Sequence, residues 1–180
     1  MHSGSGFDSS TLLQTRETMT TKWKTVSGIP VESIEDYVSA ASAAGQAVHI
    51  GTDSLQTGRY TQFVTVVAVL TPHHGGRAAY SLDVVPRITS LRERLLKEVW
   101  KSVELGLVLT GKVKGELTIH LDVNPSERYL SSRYVQELTG LVVGQGFKAL
   151  IKPDSWCATT AADHVVRVLN ANPRRRTEQS

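Results

Sequence analysis

The chain has a single cysteine, Cys157, in 180 residues. That excludes an intrachain disulfide framework and any cysteine-based zinc cluster. A lone cysteine in a helix-forming stretch reads as a small core residue before it reads as a nucleophile. No apolar run approaches the length of a membrane span, and the N-terminus lacks the apolar core of a signal peptide. No membrane partner is expected, and a cytoplasmic protein is the default. The net charge is only +3, too small to argue for nucleic acid by itself, although a pI near 9.1 permits it. The few aromatic residues form no row on which successive bases could stack. Nor does any stretch read as a separate hybrid-binding domain.

What is present is the composition of an ordinary globular protein, long enough for one domain with a substantial core. Residues 1–22 are rich in Ser, Thr and Gly and read as a flexible arm, with a short helix around 12–17. The domain is expected over 23–170. Residues 171–180, with Pro173 and then Arg174, Arg175 and Arg176, read as a basic flexible tail.

Within the domain, Ile34, Tyr37, Val38 and Ala41 recur at helical spacing over 31–44 before Gly45 stops the helix. A strand over 47–53 follows, then strands over 60–70 and 77–85 joined by short turns, which implies an antiparallel meander. His73 and His74 sit at a hairpin tip, where adjacent side chains point apart, so metal ligation there is not expected. Thr89 or Ser90 caps a helix over 91–105. A strand over 115–122, a helix from about 127 or 131 to 143, a strand over 147–151 and a helix over 156–170 complete the chain. Past the first helix the order is β-β-β-α-β-α-β-α, that of the ribonuclease H-like fold. The expectation is therefore an α/β protein with a five-stranded mixed sheet, three antiparallel strands plus two parallel, and helices on both faces.

Acids recur at matching places. Val48-His49-Ile50-Gly51-Thr52-Asp53 is an apolar run ending in a carboxylate, and Leu117, Ile119 and Leu121 alternate before Asp122. Either acid alone is explained by a turn. On the long helix Glu93, Glu98 and Glu104 compete. Leu91, Leu95, Val99 and Val103 define its buried stripe, and Glu98 falls on the border of that stripe. Glu98 is the choice and Glu93, in the first turn, the reserve. The simpler account of Glu98 is an ion pair with Lys101 or Arg94. In the closing segment Asp154 is explained as a helix cap, whereas Asp163 stands mid-helix among alanines and Val165. Asp163 is assigned to metal and Asp154 to the rim.

His49-Ile50-Gly51-Thr52-Asp53-Ser54, Leu121-Asp122-Val123-Asn124 and Lys152-Pro153-Asp154-Ser155-Trp156 with Ala162-Asp163 resemble the signature blocks of the YkuK-type ribonuclease H-like family. Its members are bacterial proteins predicted to be nucleases. The resemblance covers roughly residues 23–169, and its specificity lies in the order and spacing of short motifs. The chain departs from the family pattern at Leu55-Gln56, where Gln is expected directly after Asp-Ser.

Converging carboxylates repel one another unless a cation neutralises them, and oxygen-rich sites suit Mg²⁺ or Mn²⁺. The expectation is a two-ion phosphodiesterase. Asp53 would bridge both ions, with Glu98 and Asp122 on one and Asp163 on the other. Ser54, Asn124, Lys152, Asp154, His164 and Arg167 are the candidate substrate contacts. His164 or His120 is in reach of proton transfer, although a polar helix or strand residue is the simpler reading of each. Expected substrates are RNA, an RNA–DNA hybrid or branched DNA. Two rivals stand beside this. One is a nucleic-acid-binding or regulatory module that kept the fold without catalysis. The other is an ATP-binding protein of the actin and sugar-kinase type. That architecture needs two such domains and a second phosphate loop, for which Gly144-Gln145-Gly146 is a weak candidate.

Overall fold

A computed structural model describes residues 22–71 and 75–157. The expected features at His73 and His74, at Asp163, His164 and Arg167, and in the arginine run lie outside those residues. The sheet has seven strands, not the five expected. They are β1 (Trp23–Thr25), β2 (Pro30–Val31), β3 (Val48–Thr57), β4 (Tyr60–Thr71), β5 (Gly75–Pro86), β6 (Leu117–His120) and β7 (Lys148–Leu150), in the spatial order β2-β1-β5-β4-β3-β6-β7. The five expected strands occupy the expected places: β3, β4 and β5 form the antiparallel meander, and β6 and β7 extend it in parallel. The two extra strands are an edge ribbon of three and two residues, with β1 pairing to β5 through Trp23↔Ser81. Strands this short carry no legible alternation, which is why periodicity misses them.

Among the described residues three α-helices, α1 (Ile34–Ala41), α2 (Leu91–Leu109) and α3 (Val135–Gly144), follow or separate these strands. A 3₁₀ helix, Leu130–Tyr134, leads into α3. Helix α1 starts three residues later than its apolar spacing suggests. Val31 is taken by β2, and Ser33 caps the helix by accepting from the Asp36 N–H. Ser90 does the same for α2 through the Glu93 N–H.

Alternation in β3 sends Val48 and Ile50 into one core, with Val67, Val69 and Ile119 from neighbouring strands. Val38 of α1, Leu95, Val99 and Val103 of α2 and Leu138 and Val142 of α3 pack into that same core. The described helices therefore cover one face. Each such side chain, taken fully from water, contributes about 1.5–3 kcal/mol. The other face carries Val64, Val66 and Ala68, closed by Cys157 and Trp156. Cys157 is a core residue, and burial pushes its thiol pKa up to about 12, so it stays protonated.

Two loops must pass in contact for β3 and β6 to start side by side, with the Val48 N–H donating to the Glu116 carbonyl at 2.8 Å. A Cβ on Gly115 would lie 1.8 Å from the Gln46 carbonyl oxygen. Gly115→Ala is therefore expected to destabilise the fold by roughly 1–3 kcal/mol through forced backbone movement. Thermal denaturation checks this, and a Tm unchanged from wild type would contradict the packing.

Candidate active site

The parallel pairing of β3 with β6 stops at Gly51↔His120. Beyond it β3 continues with β4 as far as Thr57↔Tyr60, while the chain after β6 turns toward β7. There the Leu121 N–H donates to the Leu150 carbonyl and the Lys152 N–H to the Val123 carbonyl. The sheet forks at this point. Asp53 lies on β3 two residues past the fork, and Asp122 on the other prong. The strand does not end at Asp53 as its hydrophobic run implies, because pairing with β4 carries it four residues further. Asp122 likewise follows β6 instead of closing it, since the strand ends at His120.

Glu98 enters from the α2 face. It is 7% exposed, and its carboxylate accepts from the Ser54 hydroxyl at 2.6 Å. Burial pushes its pKa up to about 8, against the Ser54 hydrogen bond and Arg94, and the charges of Asp53 and Asp122 push in the same upward direction. All three acids are thus in electrostatic contact at the fork. A small void of about 10 Å³ lies there, lined among others by Thr52, Glu98, His120 and Asp122. Below Glu98 runs a buried hydroxyl chain. Ser102 Oγ lies 2.8 Å from Thr52 Oγ1 and 3.2 Å from the Glu98 carbonyl, and Thr52 Oγ1 lies 3.1 Å from Thr65 Oγ1. Thr52 and Ser102 were not singled out from the sequence. Ser102 stands four residues after Glu98, one helical turn on, which was the available signal.

The other acids of α2 behave as surface groups. Glu93 pairs with Lys97 at 3.1 Å, and Lys101, one expected partner of Glu98, pairs instead with Asp83 at 2.5 Å.

Asp122 is ion-paired with the Lys152 ammonium. Ser54 is engaged by Glu98. Asn124 holds the turn after β6, its side-chain oxygen accepting from the Ser126 N–H at 2.9 Å. Asp154 is exposed on the following loop. His120 is fully buried between two partners. Its Nδ1 accepts from the Trp156 N–H at 3.3 Å, so in the neutral ring Nε2 carries the proton and donates to His49 Nδ1 at 3.0 Å. Burial first, then His49, lowers its pKa to about 4. In this neutral form His120 ties the Trp156 backbone to the sheet, which fits the reading of it as a polar strand residue.

The donor set suits a hard divalent cation in its chemistry: three carboxyls, one whose pKa is raised chiefly by burial and one ion-paired with an ammonium. The enclosed part of the fork has room for about one water-sized body. Among the described residues, no three His, Cys, Asp or Glu side chains are gathered closely enough to hold an ion. A cation placed at these carboxyls would compete with the Ser54 hydrogen bond to Glu98 and with the Lys152 ion pair to Asp122. No described helix is long and apolar enough to cross a membrane.

Comparison with known proteins agrees with this architecture. A family profile described as "Ribonuclease H-like" matches residues 30–167. The uncharacterized protein YkuK of Bacillus subtilis (strain 168) is 28% identical over 156 residues, covering 76% of this chain and 88% of that protein. No solved structure matches significantly.

Proposed function

Since the chain belongs to the ribonuclease H-like family, we propose that it is a divalent-metal-dependent nuclease hydrolysing phosphodiester bonds. The observation that carries this reading is the Glu98 carboxyl buried at the sheet fork, its pKa pushed upward first by burial and further by the charges of Asp53 and Asp122. A buried acid flanked by two others is costly to ionise unless a cation shares the charge. Asp53, Glu98 and Asp122 would hold Mg²⁺ or Mn²⁺, with Asp163 as the expected fourth ligand. Two such ions, when bound, activate water and stabilise the leaving oxygen.

The chain's own groups do the rest. Ionisation of Glu98 alone would strengthen its bond from the Ser54 hydroxyl; only a carboxylate turned onto a cation would free that hydroxyl to donate to a phosphate oxygen. Lys152, released from Asp122, offers its ammonium to the same phosphate. The hydroxyl chain of Ser102, Thr52 and Thr65 fixes the floor beneath Glu98, so the carboxylate returns to one place.

A second reading has its own support. Glu98 bonded to Ser54 and Asp122 bonded to Lys152 form a neutralised arrangement that a binding or regulatory module of the same fold would also show. The test is cleavage of RNA–DNA hybrid, RNA, single-stranded DNA and a four-way junction in Mg²⁺ or Mn²⁺. At least one substrate is expected to be cut by wild type. Binding without cleavage of any member would replace the nuclease by the binding module.

A further inference from the structure

A second cavity lies beside the acids. It has a volume of about 440 Å³ and is walled by the loop after β6, Asn124-Pro125-Ser126, and the loop after β7, Lys152, Pro153, Ser155 and Trp156. Both loops leave the C-terminal ends of parallel strands, where ligands of open α/β sheets bind. Its volume is that of a small-molecule site. Three features give it a chemistry. Lys152 stands on the border, its ammonium on Asp122 on one side and the cavity on the other. Trp156 supplies an aromatic wall, and its indole is braced at 5.1 Å by the rings of His49 and His120. Ser155, 6% exposed, has a buried hydroxyl with no hydrogen-bond partner. A buried hydroxyl left unsatisfied is costly, and a ligand atom that reaches it relieves that cost.

A cation, an unsatisfied hydroxyl, an aromatic ring and two prolines around one small volume match a phosphate, a sugar edge and a base face. We propose that this cavity seats one unpaired nucleotide of a nucleic-acid strand, with its phosphate at Lys152 and its polar edge at Ser155. The inference rests on the nuclease reading and deepens it by naming a substrate class, single-stranded ends or flaps. Bases held inside a duplex cannot enter such a cavity unless flipped out, which costs unpairing energy. A nucleotide seated there brings the adjoining phosphate next to Asp122, since Lys152 touches both.

The test is fluorescence anisotropy of labelled oligo-dT and oligo-U against a blunt duplex of equal length. Titrations run in EDTA so that binding is read without cleavage. Wild type is expected to bind at least one of the single strands about tenfold or more tighter than duplex, the scale of one stacked base with its phosphate. Ser155→Ala removes a hydroxyl with no protein partner. Its Tm is expected to be equal to wild type or higher, while single-strand binding falls several-fold and duplex binding stays. Ser126→Glu, an exposed change at the cavity wall, is expected to weaken single-strand binding about tenfold with Tm unchanged. Duplex bound as tightly as single strands, or single-strand binding within twofold of wild type in both variants, would overturn the proposal. Cleavage indifferent to these variants would remove the cavity and leave the nuclease standing. Variant-sensitive binding without any cleavage would do the reverse.

Discussion

Asp53→Asn is expected to lower cleavage by about 10²–10³, with Asp122→Asn close behind, and neither is expected to unfold the protein. The size follows from the role. A carboxylate that holds a catalytic cation supports several kcal/mol of transition-state charge stabilisation, and each 1.36 kcal/mol is tenfold in rate. Asn keeps the shape and one acceptor but not the charge. Both side chains lie at the fork, off the main cores, so the fold tolerates the exchange. Asp53→Asn has a second, independent signature. Asp53 helps push the Glu98 pKa up, so its neutralisation lowers that pKa. Rates measured on the best member of the substrate panel decide the first point, and titration of Glu98 by carboxyl-labelled NMR decides the second. Cleavage unaffected by both substitutions would remove the acids from the chemistry.

Glu98 gives the protein an unusual dependence of stability on pH. Its folded pKa, about 8, lies above the ordinary 4.5, so the folded state binds the proton more tightly than the unfolded chain. Below about pH 4.5 the group is protonated in both states and its contribution is whole. Between there and about pH 8 the unfolded chain releases the proton first, and stability falls as pH rises. Above that window both states are ionised and the contribution is gone. The loss is at most about 5 kcal/mol, or roughly 10–20 °C in Tm for a domain of this size. Glu98→Gln keeps an acceptor for the Ser54 hydroxyl and carries no proton to lose. It is therefore expected to be more stable than wild type at pH 8 in EDTA, and equal to it near pH 5. A bound cation reverses the sense by favouring the ionised carboxylate. Mn²⁺ is expected to raise the wild-type Tm more at pH 8 than at pH 6, and to leave Glu98→Gln nearly unmoved. Scanning calorimetry across that range in EDTA and in Mn²⁺ reads both effects. A wild type with the same pH profile as Glu98→Gln would show that Glu98 titrates normally.

Much of this was legible in the chain itself. An apolar run located β3, β-branched residues between Gly58 and Pro72 located β4, a short turn after it located β5, and alternation of Leu117, Ile119 and Leu121 located β6. The apolar stripe of α2 placed Glu98 at its border, and burial at 7% exposure agrees. Those signals are local, because a residue's face follows from its spacing along one element. The two edge strands were not legible, since pairs of two and three residues are held by β5 and not by their own pattern. Nor was the fork. Asp53 and Asp122 each looked like the end of a strand, yet one strand runs on and the other stops short. That depends on which neighbour supplies the hydrogen bonds beyond Gly51 and His120, β4 for one prong and β7 for the other. The pairing of Lys152 with Asp122 and the hydrogen bond between Trp156 and His120 join residues 30 or more positions apart. The sequence by itself determined the order of elements, the border position of Glu98 on the apolar stripe of α2 and the family resemblance. Only the tertiary structure decided that Asp53 and Asp122 act electrostatically on Glu98 where the sheet divides, with a cavity beside them, because backbone pairing across strands is not written in any one strand.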